Sequence, residues 1–252
     1  MDVIETYEPT NILKTVADDV WIVDGPVIKF GYMGLKLPFP TRMTIVKLAD
    51  GGLWVHSPTA LTSSLKEQID TLGQIRYLIA PNRIHYWWIE DWVGAYPGAE
   101  TYAAPGVREQ ARDNDRFTDY KSELTEGDRY PWSGDLDMLV VVGGYMSEAV
   151  FFHKASRTLL LTDLIENFER EKIASPFFKF VSKFSGGCDP NGKMPIDLRL
   201  TFFMHRRQMA NAVRTMISWQ PQRILIAHGR WYPENAVSEL KRAFSWLPGI
   251  TP

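Results

Sequence analysis

Short apolar runs, each halted by a polar side chain, recur at three places along this chain. Tyr77-Leu78-Ile79-Ala80 leads into Pro81-Asn82-Arg83-Ile84-His85, Thr158-Leu159-Leu160-Leu161 into Thr162-Asp163, and Ile224-Leu225-Ile226-Ala227 into His228-Gly229. Runs of this length read as buried strands. A polar residue at the end of such a strand projects from the rim of a sheet, where ligands and metals are held. Three such rims point to one shared site.

The remaining pattern alternates short strands with helices. Val20–Val23, Met43–Leu48 and Leu53–His56 read as strands, with Asp50-Gly51-Gly52 as the hairpin turn between the last two. Leu61, Leu65, Ile69 and Leu72 recur at helical spacing, so a helix is expected from Pro58 to Gly73. A strand at Thr101–Ala103 and a short helix from Val107 follow, and then a polar stretch from Asp113 to Gly134 that reads mostly as surface loop. Leu136–Val142 opens a second strand-rich half, and Ala149–His153 and Thr158–Thr162 flank a turn as a hairpin. Leu198–Trp219 is helical by period, Arg223–Ala227 is a strand, and Pro233–Leu247 is a closing helix. There is no internal repeat by sequence.

Composition narrows the options. With 252 residues and no Pro-, Ser- or charge-rich linker, residues 1–252 are expected to form a single α/β domain. The net charge of −2 supplies no basic field for nucleic acid, so no nucleic-acid partner is expected. Cys188 is the only cysteine, which precludes an intramolecular disulfide or a Cys-based zinc site and fits a reducing compartment. The start Met1-Asp2-Val3-Ile4-Glu5 lacks the features of a secretory signal. No stretch approaches the ~20 apolar residues of a membrane span, so a soluble, cytoplasmic protein without an integral membrane segment is expected.

Several residues invite a functional reading and also have a plainer one. A His before Gly at a strand end can be a capping or core residue, and Asp there is often a turn former. His56 ends another strand on the same rim and reads as a buried, hydrogen-bonded imidazole or a further ligand. His153, beside a hairpin turn, reads as exposed or packed, and His205, beside Arg206-Arg207, as part of a solvated basic face. Tyr86-Trp87-Trp88 with Trp92 is an aromatic cluster able to wall an apolar cavity. Helical spacing assigns Trp88 and Trp92 to the core and leaves Trp87 freer. Pro176–Phe184 is amphipathic and basic, as a membrane-surface helix would be. It is short, so a lid over the site or a subunit contact in a homo-oligomer is the stronger reading.

The strand and helix order, with Thr-Asp after a hairpin and His-Gly before the last helix, resembles the metallo-β-lactamase fold, an αββα sandwich with metals at the sheet edges. Pro40–Val46, Gly51–Pro58, Ala80–Asn82 with His85, and Val150–Lys154 with Asp163 are similar to an uncharacterised branch of that superfamily, a domain of unknown function. The resemblance covers about residues 16–247 and implies no substrate. It also marks residues 165–194 as an insertion of the kind that shapes substrate access, here a candidate lid that contains Cys188.

The departures from the superfamily pattern restrict the metal content. Its first motif, His-x-His-x-Asp-His, is absent; the aligned positions hold Pro81, Arg83, His85 and Tyr86 or, one residue displaced, Ala80, Asn82, Ile84 and His85. A His is expected where Tyr86 stands, and the next ligand position, near Gly143-Gly144-Tyr145, holds none. Asp163 and His228 match the two remaining positions. The resemblance therefore implies at most one Zn²⁺ or Fe²⁺ on His85, Asp163 and His228, two imidazoles and a carboxylate suited to a borderline divalent ion. Asn82, Tyr86 and Glu148 are candidates for supporting the ligands or touching substrate.

Three functions follow. The first is a mononuclear metal-dependent hydrolase of a small ester, lactone, thioester or phosphoester. The second is a catalytically inactive relative, holding no ion, that binds a small molecule or protein partner through the aromatic-lined cleft. The third is an iron-dependent redox or oxygen-sensing protein.

Overall fold

The computed structural model describes residues 4–32 and 35–252. The acidic start Met1-Asp2-Val3 lies outside them, as do the side chains of Phe177, Val181 and Lys183 in the aromatic segment.

Two sheets divide the chain. In the first, strands β1 (Lys14–Ala17), β2 (Val20–Tyr32), β3 (Leu35–Lys47) and β4 (Leu53–His56) pair antiparallel in succession. The strands β5 (Ile75–Ala80), β6 (Glu100–Ala103) and β7 (Ser122–Glu123) then add in parallel. Each parallel step needs a crossover, supplied by helices α1 (Ser63–Asp70), α2 (Ile89–Ala95) and α3 (Val107–Asp113). The second sheet has the order β11-β10-β9-β8. Its β8 (Leu136–Val141), β9 (Glu148–His153) and β10 (Thr158–Leu160) form an antiparallel meander. The chain then passes through α4 (Pro176–Ser185), α5 (Ile196–Thr201) and α6 (Arg206–Ser218), returns as β11 (Arg223–Leu225) parallel to β10, and closes with α7 (Ala236–Ala243).

Alternation along β9 shows how the layers meet. Ala149 and Phe151 enter a core shared with Trp54, Leu78 and Trp132 of the first half, while Val150 and Phe152 enter another with Met209, Val213 and Met216 of α6. This period of two is what a strand buried on both faces requires. Leu65 and Ile69 of α1 and Trp92 of α2 cover the first sheet, so the helices flank two packed sheets in an αββα sandwich.

Several expected boundaries move. The helix expected from Pro58 begins at Ser63, where Thr62 caps it by accepting from the Leu65 amide at 3.2 Å. Leu198–Trp219 is two helices, since the buried Phe202 sits at a break and Phe203–His205 form a 3₁₀ turn. The closing helix starts at Ala236 because Asn235 adopts a left-handed backbone with φ 59°. Asp113–Gly134 is not simply surface: Tyr120, Leu124, Tyr130 and Trp132 are buried, the last two rings stacked at 5.1 Å. The opening strands β2 and β3 are far longer than the apolar runs suggested, and β1 carries no apolar signal of its own. His153 is packed rather than exposed, with Nδ1 2.8 Å from Ser156 Oγ.

Candidate metal centre

The two sheets touch where β5 ends and β9 begins. Asn82 and Glu148 form a β-bridge, and the Ala149 amide donates to the Pro81 carbonyl at 2.8 Å. The residues after β5, β10 and β11 emerge at this seam. His85 stands in the turn after β5, Asp163 follows β10, and His228 follows β11.

Their side chains converge. His85 Nε2 lies 3.3 Å from Asp163 Oδ2, His228 Nε2 lies 3.1 Å from Asp163 Oδ1, and the two Nε2 atoms are 3.2 Å apart. All three side chains are buried, at 4–7 % exposure. Around a tetrahedral ion with bonds near 2.0–2.1 Å, donors sit about 3.3 Å apart, so the triangle has the right dimensions. The chemistry fits as well. His228 Nδ1 donates to the Pro40 carbonyl at 2.7 Å, which turns Nε2 toward Asp163. His85 Nδ1 is 2.7 Å from Ser57 Oγ, so the far nitrogen of each ring is anchored.

Buried hydrogen bonds hold the carboxylate. Asn82 Nδ2 donates to Asp163 Oδ2 at 2.6 Å, to Thr162 Oγ1 at 2.8 Å and to Glu148 Oε2 at 3.2 Å. Asn82 Oδ1 accepts from the amides of Ile84 and His85, which shapes the turn that presents His85. Glu148 accepts from the amides of Thr162 and Asp163 at 2.7 and 2.9 Å. Gly229 lets the chain leave His228: its φ is +96°, and a Cβ there would stand 2.1 Å from the Asn167 carbonyl oxygen. Arg42 donates to the carbonyls on either side of His228, Ile226 at 2.9 Å and Gly229 at 2.7 Å, while pairing with buried Asp24 at 2.7 Å.

The electrostatics follow from this geometry. Burial would raise the Asp163 carboxyl, but the charges of and hydrogen bonds from His85 and His228 outweigh it and hold it well below the usual carboxylate range. Burial disfavours the charged form of His85, and the Asp163 carboxylate outweighs that and raises its pKa. Glu148 is pushed up to about 7 by burial and by Asp163. Glu166 rises well above the ordinary value through burial, Asp163 and Asp197. Burial, with His85 adding, holds His56 down at about 3, so it is neutral.

A cavity of about 140 Å³ opens onto the triad. Its apolar walls include Phe39, Ile84, Trp87, Trp88, Phe168 and Phe178, and Glu166 and Asp197 contribute carboxyl groups. Trp87 and Trp88 both line the cavity, and both also pack against the first core. Two expectations fail. Tyr86 turns away from the triad, its hydroxyl near the Gln110 carbonyl at 3.4 Å, because the turn after His85 directs its ring into the first core. His56 is neither a ligand nor a hydrogen-bonded imidazole at Nε2, which has no partner; its ring is held by aromatic packing against Trp54 and Phe151. Asn82 and Glu148 are fully buried and reach the metal candidates, not the cavity. The roles of Ser57, Pro40, Arg42 and Glu166 were missed, although Ser57 stands at a strand end and Pro40 and Arg42 lie in the family-like phrase Pro40–Val46.

Residues 18–176 match the family profile described as Domain of unknown function (DUF4336). The chain belongs to this family. No curated protein matches the sequence. Among solved structures, this DUF4336 protein is similar to the metallo-β-lactamase from Hirschia baltica, with 17% identity, a TM-score of 0.62 and coverage of 93% of this chain and 96% of the other. DIM-1 metallo-β-lactamase exposed to ceftazidime gives 14% identity, TM-score 0.63 and 97% coverage of both chains. FIM-1 from Pseudomonas aeruginosa in its mono-zinc form gives 14% identity, TM-score 0.55 and coverage of 91% and 92%. At such identities the likeness is one of fold. The DUF4336 protein has the metallo-β-lactamase-like fold that its strand order resembled, and it brings together a His/Asp group capable of holding a metal ion.

Proposed function

We propose that this DUF4336 protein is a mononuclear metal-dependent hydrolase of a small ester, lactone, thioester or phosphoester. The observation that carries the reading is the 3.1–3.3 Å triangle of His85, Asp163 and His228 with both distal imidazole nitrogens anchored. These residues would hold one Zn²⁺ or Fe²⁺, and FIM-1, solved in a mono-zinc form, offers a precedent for one zinc in this fold. Such an ion supplies Lewis acidity and an activated water at neutral pH.

The chain's own residues do the rest. The Pro40 carbonyl keeps His228 in the tautomer that presents Nε2. Glu148 and Asn82 fix the backbone and carboxylate of Asp163, so its oxygens need no reorganisation when charge develops nearby. Trp87, Trp88 and Phe178 receive the apolar part of a substrate and exclude water around the reacting group. Glu166 lines the same cavity, and burial pushes its carboxyl up, which favours the protonated form that can donate to a departing oxygen or sulfur.

A second reading, a catalytically silent binding protein, draws on a different observation. Asn82 and the two imidazoles already surround Asp163 with hydrogen-bond partners, so the triad can satisfy itself without an ion. Metal analysis of protein purified without chelator, alongside His228→Ala, separates the two. The hydrolase reading expects up to one equivalent of zinc or iron, lost in the variant with the fold retained, together with turnover of simple esters or thioesters. A metal content near zero in both proteins, with a lowered melting temperature in the variant, favours the silent reading. Two tightly held equivalents would overturn the mononuclear assignment.

A further inference from the structure

The large apolar side chains most exposed among the described residues gather in one stretch. Phe180 and Phe184 on α4 are 61 % and 66 % exposed, Ile196 and Leu200 on α5 are 54 % and 70 %, and Phe203 and Met204 in the following turn are 55 % and 86 %. Their placement is systematic. On α4, Phe178 and Ser182 face the cavity while Phe180 and Phe184, four residues apart, face out with rings 4.4 Å between centroids. On α5, Asp197 and Leu198 face the cavity while Ile196 and Leu200, also four apart, face out. The two helices are neighbours, since the Lys193 amide donates to the Gly186 carbonyl and a Cβ on Gly186 would meet the Arg199 guanidinium at 2.8 Å. Exposed apolar side chains gathered on neighbouring elements in this way mark an interaction site.

Charge identifies the occupant. The chain as a whole carries a net charge of −2, yet residues 176–207 hold six Lys or Arg and only two Asp. Arg206 and Arg207 are exposed at the start of α6, with only His205 between them and Met204, and the Arg206 guanidinium lies over the Phe203 ring at 4.6 Å. A second copy of the chain would set this basic border against itself. An anionic lipid surface complements it and takes up the aromatic and aliphatic side chains at the boundary of headgroups and acyl chains. We propose that α4, α5 and the turn at Phe203-Met204 form a docking surface for the face of an anionic bilayer. The docking is peripheral, as no helix of the described residues is long and apolar enough to cross a membrane.

Vesicle co-sedimentation of the full chain tests this, with phosphatidylcholine vesicles compared with the same vesicles carrying about 30% phosphatidylserine. The expected result is binding to the anionic vesicles that weakens with salt and is roughly tenfold weaker on phosphatidylcholine alone. Phe184→Ser with Leu200→Ser should abolish binding and leave the melting temperature unchanged, because both side chains are exposed. Arg206→Glu with Arg207→Glu should remove the preference for anionic vesicles. Size-exclusion chromatography with light scattering should report a monomer for wild type and variants. Failure to bind anionic vesicles, binding insensitive to the serine variant, or a wild-type dimer that the serine variant dissociates would each overturn the proposal.

Discussion

Replacing Arg42 by Met tests how firmly the two halves of the sandwich are fastened at His228. Arg42 and Asp24 are a buried pair, 3 % and 4 % exposed, and the same guanidinium donates to the carbonyls of Ile226 and Gly229. Methionine keeps the apolar stem and removes every donor. Breaking a buried ion pair costs about 3–5 kcal/mol, and each carbonyl left without a donor adds about 1 kcal/mol. Lys14, 2.8 Å from Asp24, survives and offsets part of this, so a net loss of about 4 kcal/mol is expected. For a chain of this length that lowers the melting temperature by about 8–16 °C in calorimetry. The double variant Asp24→Leu with Arg42→Met should recover at least half of the loss, since two apolar residues leave no buried charge behind. A single-variant loss below about 1 kcal/mol, or a double variant as unstable as the two single losses added together, would refute the assignment of Arg42 as the tie between the sheets.

Three further outcomes are expected. His56 is neutral when folded, with a pKa near 3 against 6.5 when exposed; the stability this contributes is complete above the exposed value and is lost as pH falls, about 2 kcal/mol by about pH 5. His56→Phe should remove that part of the acid sensitivity, read from urea midpoints at neutral and mildly acidic pH. Gly229→Ala forces a left-handed backbone and a Cβ against the Asn167 carbonyl, and should cost about 3 kcal/mol or more in thermal unfolding. Asn82→Asp replaces the donor to Glu148 and Asp163 by a third carboxyl group, and should destabilise the protein at neutral pH and recover as the solution is acidified, followed by circular dichroism.

The features of the centre that could be read from the chain are those written as contrasts along it. His85, Asp163 and His228 each follow an apolar run within a few residues, so their position just past strand ends, and through it their convergence, was legible. Pro40 and Arg42 act on His228 from another strand, one through a backbone carbonyl and the other through a buried ion pair, and neither leaves a periodic trace. Tyr86 was misplaced because its direction depends on the turn that Asn82 organises, not on its separation from His85. In Asp113–Gly134 the polar majority concealed Tyr120, Tyr130 and Trp132, whose burial was signalled only by aromatic residues at odds with a loop. The break at Phe202 was invisible because apolar spacing continues through it.

The donors of the centre are separated by as many as 143 residues in sequence, and no two belong to the same strand or turn. Neither half of the sandwich alone can present the triangle, so an ion that needs all three side chains has nothing to grip until the sheets have docked. Such an ion would leave the refolding rate nearly untouched and act on the way out, slowing unfolding. At a free concentration about 100 times its dissociation constant it would add about 2.7 kcal/mol to the native state. In a chevron experiment the metal would then shift the unfolding limb alone, making it a reporter of the last contacts to form and the first to be lost.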